Sequence, residues 1–278
     1  MKILVTGGNG MTGCYVKEIF KYDDIVMPAR HELNVGNDQQ VRRYAKQKFD
    51  YIFHFAAETD HEYCDMNPAQ CYYINTIGTG NMMRLSRDLD IPIVYLSAAS
   101  IFDGKKGEPY EPHDTPNPIN HYNTSKWYGE LIVKQWEKHY IVRAGWMFGG
   151  GPKKDKKFVN KIMNKYYAGE KKIKVCDDCI GSPTYSKSLI GFIKRIIETR
   201  LPYGIYHASN GEVSRYEFAQ KIFSILGITD SKIVSCSIED LKEEFPCKRT
   251  NYEVIDRSHT FLNLEESLKE YLNEHYRY

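Results

Sequence analysis

The first twenty residues place a glycine-rich turn directly after an apolar segment. The run Ile3-Leu4-Val5 is followed by Gly7, Gly10 and Gly13 at three-residue spacing, and a helical pattern extends from Cys14 to Phe20. In such a unit Gly7 permits the tight turn, Gly10 lets the backbone approach phosphates, and Gly13 lets the helix pack closely on the strand. The sequence therefore predicts a dinucleotide-binding unit here, and the alternative is an ordinary glycine-rich turn.

Strand and helix patterns alternate through the first half of the chain, which predicts βαβ units and a parallel sheet. We predict an α/β fold, a Rossmann-type doubly wound parallel sheet with a smaller C-terminal substrate-binding lobe. The dinucleotide domain is placed at 1–150 and the lobe at 151–278, with some segments of the second half returning to the first domain. The predicted strands are 24–28, 51–55, 93–97 and 140–144, and the predicted helices are 39–48, 67–88 and 127–136.

The composition is that of an ordinary globular protein. Lysine plus arginine (38) nearly balance aspartate plus glutamate (36), so no nucleic-acid or membrane partner is indicated. No apolar run approaches the roughly 20 residues that span a bilayer, and the N-terminus enters a strand without a signal-peptide pattern. We expect a cytoplasmic protein. The lysine-rich stretch 153–174 is interpreted as a solvated helix face.

Seven scattered cysteines suit reduced thiols better than a disulfide framework. The one close pair is Cys176 and Cys179. A structural zinc site needs four ligands, and the sequence shows neither a second cysteine pair nor a histidine pair at ligand spacing. Two thiols in a loop are therefore favoured, and no metal is predicted.

The residue type that follows the second predicted strand bears on the cofactor. An acidic residue there accepts hydrogen bonds from the adenosine ribose, whereas an arginine accommodates a 2′-phosphate. Arg30 follows the strand and no carboxylate ends it, which favours NADP(H), with NAD(H) as the alternative. The competing interpretation is an arginine that points into solvent.

Tyr122 and Lys126 are four residues apart and precede a helical run. Residues at this spacing on one helix project from the same face. A lysine ammonium beside a phenol favours the phenolate, so we expect Lys126 to lower the pKa of Tyr122 towards the range of a general acid. The spacing is common by chance, and it becomes specific when it follows a Rossmann glycine loop by about one hundred residues.

The chain resembles the extended short-chain dehydrogenase/reductase superfamily, and within it the dTDP-4-dehydrorhamnose reductases. The superfamily resemblance rests on residues 6–13, 54–57 and 75–79 together with Tyr122 and Lys126. The branch resemblance rests on 94–97, 101–104, 142–146, 181–184 and 203–210.

By this resemblance, NADPH delivers a hydride to the C4 carbonyl of a nucleotide-linked 4-keto-6-deoxy sugar. Tyr122 protonates the developing alkoxide, and Lys126 holds the nicotinamide ribose. The implied cofactor-binding residues are Gly7, Asn9, Gly10, Met11, Thr12, Arg30, Asn34, Val35, Phe55, Ala56, Ala57, Asn75, Tyr122 and Lys126. The implied substrate-binding residues are Thr59, Ser100, Trp146, Pro183, Thr184 and Arg249, with Arg143 also near the sugar nucleotide.

Three of these residues have a plainer interpretation. Trp146 and Pro183 could serve packing alone, and Arg249 could be a surface charge. One departure from the family also matters, because the family places a serine or threonine after Ser97 to hydrogen-bond the substrate carbonyl, and this chain has Ala98. Loss of such a donor costs on the order of 10²–10³ in rate. Ser97, which we assign as catalytic, or Ser100 is the candidate replacement.

Two other functions remain open on the sequence. The first is a nucleotide-sugar epimerase or dehydratase, against which Arg30 argues, because epimerases of this superfamily often carry an acidic residue after the second strand. The second is a non-catalytic NADP-binding regulatory subunit, which Ala98 favours and the retained Tyr122 and Lys126 disfavour. A homodimer is expected because two-fold homo-oligomers are common.

Overall fold

The computed structural model describes residues 1–256 and 263–276. Its centre is a six-stranded, wholly parallel sheet with the strand order β10-β5-β4-β3-β1-β2, which confirms the predicted fold class. The strands are β1 (Lys2–Thr6), β2 (Asp24–Val26), β3 (Tyr51–His54), β4 (Ile93–Ala98), β5 (His139–Ala144), β6 (Trp146–Phe148), β7 (Lys172–Cys176), β8 (Ile180–Gly181), β9 (Pro183–Tyr185), β10 (Gly204–Ala208), β11 (Val213–Ser214), β12 (Lys232–Cys236) and β13 (Tyr252–Glu253).

The helices cover both faces of this sheet. Successive residues of β1 are buried on opposite faces of the sheet. Ile3 and Val5 belong to one apolar core and Leu4 belongs to another, and all three are fully buried. The α-helices are α1 (Val16–Ile19), α2 (Asp38–Arg42), α3 (His61–Met66), α4 (Pro68–Tyr72), α5 (Gly78–Asp88), α6 (His121–Val133), α7 (Phe158–Tyr167), α8 (Ser186–Glu198), α9 (Arg215–Leu226) and α10 (Leu264–His275).

The sheet has a topological switch point between β1 and β3. The chain passes from β1 to β2 on one side, and then crosses to β3 on the other side of β1. Helices attached to the two halves of such a sheet diverge, which leaves a crevice at the carboxyl ends of the strands. Here the crevice is bordered by the residues that follow Thr6 and His54.

The helix predicted at 67–88 is one continuous helical segment. It comprises α4, a π-helical turn at Tyr73–Ile77, and α5. Pro68 occupies its first turn, where a missing N–H costs no hydrogen bond. A π-turn inside an α-helix often marks a functional site, and this one contains Asn75.

Three other predicted helices differ in extent. The helix predicted at 14–20 is a 3₁₀ turn at Gly13–Tyr15 followed by α1, and the helix predicted at 39–48 is α2 followed by a 3₁₀ turn at Arg43–Lys46. The helix predicted at 127–136 is α6, which begins at His121 because the Asn120 side chain accepts a hydrogen bond from the Asn123 N–H at 2.8 Å. Tyr122 and Lys126 therefore share the first two turns of α6.

The second half of the chain forms small sheets, with the strand orders β11-β8-β13, β12-β7 and β6-β9. One of its strands, β10, pairs with β5 at the edge of the central sheet. The division of the chain at residue 150 stays a prediction. Across residues 1–256 and 263–276, none of the helices combines the length and the hydropathy that a bilayer crossing requires.

Candidate active site

The glycine turn lies at the switch point, and two of its glycines are required there by close contacts. Gly7 has a φ of +72°, and a Cβ on it would lie 2.7 Å from the backbone nitrogen of Ala56. A Cβ on Gly13 would lie 2.5 Å from the carbonyl oxygen of Gly7. Neither position has room for a side chain, and the Gly13 contact is with the turn rather than with β1. Asn9 and Gly10 stand exposed between them, at the open side of the crevice.

The other predicted cofactor residues in the first half lie around this turn. Met11 and Thr12 follow it, and the Thr12 hydroxyl is 3.4 Å from the hydroxyl of Ser186. Phe55, Ala56 and Ala57 follow β3 and are half-buried along the same crevice.

Asn34, Val35 and Arg30 come from the segment after β2. The Asn34 side chain accepts a hydrogen bond from the Gly36 N–H at 3.1 Å, so it shapes this segment. Val35 is buried, and Arg30 is exposed to solvent. The Arg30 guanidinium is therefore accessible, as it must be either to bind a 2′-phosphate or to point into solvent.

A buried polar chain connects the end of β1 to the π-helical turn. Thr6 Oγ1 lies 2.7 Å from His54 Nδ1, and His54 Nε2 lies 3.0 Å from Thr79 Oγ1. Thr79 in turn donates to the Asn75 carbonyl at 2.6 Å. Burial lowers the pKa of His54 to about 3, so the imidazole is neutral and bridges two hydroxyls. This series of hydrogen bonds fixes the carboxyl ends of β1 and β3 relative to Asn75.

Asn75 joins the loop after β3 to the start of α6. Its side-chain amide donates to the Glu58 carbonyl and to Ser125 Oγ, each at 2.9 Å, and its oxygen accepts from the Glu58 N–H at 2.8 Å. Ser125 donates onward to the carbonyl of Tyr122 at 2.7 Å. The hydrogen bonds of the Asn75 side-chain amide therefore hold the turn that carries Tyr122 in position.

Lys126 is buried beneath the end of β4. Its ammonium donates to the carbonyl of Leu96 at 2.8 Å and lies 4.2 Å from the centre of the Tyr95 ring. Burial lowers the pKa of Lys126 to about 7, although Glu130 opposes that shift. The lysine therefore carries only a partial positive charge near neutral pH.

Tyr122 lies against an imidazole that the sequence did not single out. The ring centroids of Tyr122 and His61 are 4.4 Å apart, with an interplanar angle of 38°. Burial raises the pKa of Tyr122, and neighbouring thiols and carboxylates, led by Cys64, raise it further. The expectation that Lys126 lowers this pKa is wrong for the structure described, because the Lys126 ammonium is directed to the Leu96 carbonyl and is itself desolvated.

The two serines that flank Ala98 differ in how their hydroxyls are used. Ser100 is buried and donates to Asn123 Oδ1 at 2.7 Å. Ser97 is also buried, and within the described part of the chain its hydroxyl has no hydrogen-bond partner. Of the two candidates, Ser97 is thus the one whose hydroxyl is not already committed to another side chain.

Three of the predicted substrate residues, Trp146, Pro183 and Thr184, meet at the β6-β9 ladder. Trp146 pairs with Pro183, and its indole N–H donates to Glu253 at 3.1 Å. Arg215 stacks on the indole, with its guanidinium carbon 3.4 Å from the ring centre. Thr184 is buried, and its hydroxyl donates to the Ala208 carbonyl at 3.0 Å and accepts from the Gly145 N–H at 3.1 Å. The Thr184 side chain thus holds backbone segments together.

Several cationic side chains lie near His61, and therefore on the side of the crevice that carries Tyr122. Burial lowers the pKa of His61 well below its usual value, and nearby cations lower it further. These cations are Arg249, Lys157, Arg215 and Lys161.

Two of these cations are anchored close to α3. Arg249 forms an ion pair with Glu62 on α3, and Lys157 donates to the carbonyl of Thr59 at 2.9 Å. Burial lowers the pKa of Lys157, so the interpretation of residues 153–174 as a wholly solvated face is wrong at this position.

The sequence missed His61, Lys157, Arg215 and Glu253. Only His61 has a local signal, because it lies seven residues after the end of β3, where crevice residues are expected. Arg143 is the opposite case. Its guanidinium is fully buried and makes two hydrogen bonds to the Glu130 carboxylate, at 2.8 and 2.9 Å. Arg143 anchors α6 to β5, and its place near the sugar nucleotide stays a prediction.

Comparison with known proteins places these residues in a family context. A family model described as the RmlD substrate binding domain matches residues 1–275. A dTDP-4-dehydrorhamnose reductase of Mycolicibacterium smegmatis is 28% identical over 259 residues, which are 91% of this chain and 77% of the relative.

Two solved structures are similar over nearly their whole length. One is a dTDP-4-dehydrorhamnose reductase of Clostridium acetobutylicum, with 31% identity, a TM-score of 0.90 and 99% of each chain covered. The other is the dTDP-4-dehydrorhamnose reductase of Bacillus anthracis in complex with NADP, with 31% identity, a TM-score of 0.89, and 98% of this chain and 99% of that chain covered.

Proposed function

Because the chain belongs to the family described as the RmlD substrate binding domain, we propose that it is an NADP(H)-dependent reductase of a nucleotide-linked 4-keto-6-deoxy sugar. The observation that carries the proposal is the arrangement at one crevice of three features: the glycine turn, the Tyr122 and Lys126 pair, and the cations around His61. Relatives named dTDP-4-dehydrorhamnose reductase support the substrate class.

The crevice fits a dinucleotide. The close approach of Gly7 to Ala56 leaves no room for a side chain there, and the exposed backbone of Asn9 and Gly10 faces the open side. Backbone N–H groups of such a turn suit a pyrophosphate. Arg30 is the residue we propose for the 2′-phosphate, and the NADP complex of the Bacillus anthracis relative supports this preference, while NAD(H) stays possible.

NADPH, when bound, supplies the hydride that reduces the C4 carbonyl of the substrate. Tyr122 donates its phenolic proton to the oxygen that becomes the C4 hydroxyl. The raised pKa of Tyr122 keeps this proton on the phenol before the reaction. Lys126 sits one helical turn away, where its amine can hold the nicotinamide ribose. Ser97 supplies a hydroxyl to the carbonyl in place of the donor that Ala98 lacks.

The cations around His61 suit the diphosphate of a nucleotide sugar. Arg249 has a buried Nε with no hydrogen-bond partner in the described part of the chain, which is costly unless a ligand accepts from it. Lys157 and Arg215 add positive charge on the same side, and Thr59, Trp146 and Pro183 border it. A phosphate-bearing substrate would satisfy these groups together.

The direct test is the oxidation of NADPH, then NADH, by the purified protein with a panel of dTDP-linked 4-keto-6-deoxy hexoses, followed by NMR of the sugar product. The expected result is oxidation of NADPH with a new hydroxyl at C4. Tyr122→Phe should lower kcat by about 10²–10⁴ while leaving NADPH binding intact. Tyr128→Phe is the matched control, because Tyr128 is an exposed tyrosine on the same helix.

The same assay separates the other functions. A nucleotide-sugar epimerase or dehydratase would be isolated with NAD and would convert substrate without net oxidation of NADPH. A regulatory subunit would bind the dinucleotide, oxidise none of it with any sugar, and be unaffected by Tyr122→Phe. Either result would contradict the reductase proposal.

The assembly is also a proposal. The near balance of charge, 38 basic against 36 acidic residues, accords with the absence of a nucleic-acid partner. We propose a homodimer because two-fold homo-oligomers are common. Light scattering of the purified chain, with and without NADPH, measures the mass directly, and the expected value is twice the monomer mass of 32.4 kDa.

A further inference from the structure

The loop between β7 and β8 brings two thiols and a carboxylate to one point. The side-chain ligand atoms of Cys176, Asp178 and Cys179 all lie within 4.8 Å of one another. Both cysteines are almost completely buried, with exposed fractions of 5% and 6%, and Asp178 faces solvent. Among residues whose positions are described, this is the one group of three such side chains close enough to share a metal ion.

A third thiol stands beside this group on the neighbouring strand. Cys236 ends β12 and is the register partner of Cys176 in the parallel β12-β7 ladder. The ladder continues into the loop, because the Asp177 N–H donates to the Cys236 carbonyl at 3.0 Å. Register partners in neighbouring strands, about 4.8 Å apart, present their side chains on the same face.

We propose that these residues form a zinc site, with Cys176, Cys179 and Asp178 as three ligands. Cys236 lies outside that group of three and becomes the fourth ligand when its side chain rotates towards the ion. Zinc in structural sites takes four tetrahedral ligands, most often thiolates and imidazoles, and Asp or Glu oxygens also bind it. The sequence pattern shows only the Cys176 and Cys179 pair, because the remaining two ligands come from the loop interior and from a strand about sixty residues away.

The surrounding charge suits a thiolate-rich site. Arg215 is fixed at this place, because its backbone N–H donates to the Cys179 carbonyl at 2.9 Å. Three thiolates and one carboxylate around a divalent ion leave excess negative charge, and the Arg215 guanidinium offsets part of it. Such outer groups commonly orient and tune the metal ligands.

The site also has a structural consequence for the substrate side. Arg215 stacks on Trp146, and the loop leads directly into Gly181, where an added Cβ would lie 2.4 Å from the Trp146 ring. Zinc binding therefore fixes both the arginine above the indole and the strand beneath it. This inference stands apart from the reductase proposal, because the metal does not take part in the reaction.

The test uses Co²⁺ as a spectroscopic substitute for Zn²⁺ on the full chain, reduced and desalted without oxygen. The expected result is one equivalent of Co²⁺ bound, with sulfur-to-cobalt charge-transfer absorption and the visible bands of tetrahedral cobalt, both abolished by Zn²⁺. Cys176→Ser and Cys179→Ser should lose most of this absorption. Cys236→Ser should lose about one third of the charge-transfer intensity, since one of three sulfur ligands is removed.

Cys64→Ser is the matched control, because Cys64 and Cys71 form a second pair of buried, mutually hydrogen-bonded thiols and no metal-binding group of three includes them among the described residues. Its spectrum should equal that of the unaltered protein. Because a buried substitution can prevent folding, thermal melting is measured as well. Zn²⁺ should raise the Tm of the unaltered protein and of Cys64→Ser, and leave that of Cys176→Ser unchanged.

Three results would overturn the inference. The first is an unaltered protein that gives no thiolate charge-transfer band with Co²⁺. The second is a band that survives in the folded Cys176→Ser and Cys179→Ser variants, which would assign the metal to other thiols. The third is a Cys236→Ser variant with full charge-transfer intensity, which would show that Cys236 does not bind the metal. None of these readouts depends on sugar reduction, so failure of the metal site and failure of the reductase proposal are distinguishable.

Discussion

The imidazole of His61 lies against the phenol ring of Tyr122, with the ring centroids 4.4 Å apart. His61 begins α3 and Tyr122 lies in the first turn of α6, so this contact packs the loop after β3 onto the proposed catalytic helix. Burial and surrounding cations keep the pKa of His61 well below its usual value. The ring therefore acts as a neutral aromatic surface that positions Tyr122.

The first prediction concerns this contact. His61→Asn should lower kcat by about 2- to 10-fold, because an aromatic pair contributes about 0.5–1.5 kcal/mol beyond its buried area. The shape of the kcat profile between pH 5 and pH 8 should stay the same, since burial and nearby cations hold the pKa of His61 well below its usual value. His61→Phe should restore most of the rate. Disappearance of an acidic limb from the profile in His61→Asn would instead show that the imidazole titrates.

The second prediction separates the two serines beside Ala98. Ser97→Ala should lower kcat by about 10²–10³, the effect of removing a donor to the developing oxyanion. Its free energy of unfolding should hardly change, because the Ser97 hydroxyl makes no hydrogen bond in the described part of the chain. The measurements are steady-state rates and urea unfolding.

Ser100→Ala is the matched control and should behave in the opposite way. It leaves Asn123 Oδ1 without the hydrogen bond from Ser100, at a cost of about 1–3 kcal/mol in the free energy of unfolding. Its kcat should fall less than that of Ser97→Ala. A larger loss of rate in Ser100→Ala at equal folded fraction would assign the substrate hydroxyl to Ser100.

The third prediction concerns Arg30 and the choice of cofactor. Arg30→Ala should weaken NADPH binding by about tenfold or more and leave NADH binding unchanged, because a hydrogen bond to a charged group contributes about 1.5–3 kcal/mol. Fluorescence titration with each dinucleotide gives the dissociation constants of NADPH and NADH. Arg43→Ala, at another exposed arginine, should alter neither. If the ratio of the NADPH and NADH dissociation constants were the same in Arg30→Ala as in the unaltered protein, the guanidinium would simply face solvent.

The fourth prediction follows from the desolvated amine of Lys126. Its pKa is about 7 in the folded protein, against a usual value of 10.5, so between these values the unfolded chain binds a proton that the folded chain does not. The free energy of unfolding therefore rises with pH across this window, and below pH 7 the folded protein bears the full cost of the buried charge.

Lys126→Met should remove this dependence. From pH 7 to pH 9.5 the unaltered protein should gain about 3 kcal/mol more than the variant at most, as measured by urea unfolding without cofactor. Other titrating groups are common to both proteins and cancel in the difference. Equal pH dependence in the two proteins would show that the amine is solvated and fully charged in the folded state.

The sequence alone determined the parts of this protein that local chain geometry controls. Three glycines at fixed spacing after an apolar strand specify the turn, and the contacts at Gly7 and Gly13 are the ones that such a turn requires. Alternating strand and helix patterns specified the parallel sheet, and the four-residue spacing placed Tyr122 and Lys126 on one helix.

Only the tertiary structure decided the environment of those residues. His61, Lys157 and Arg249 are far apart along the chain, and no local pattern shows that they meet beside Tyr122. The pKa shifts likewise depend on desolvation and on charges brought in from other elements, which is why the expected effect of Lys126 on Tyr122 was wrong. Local sequence sets backbone conformation, whereas burial and long-range charge exist only once the chain has folded.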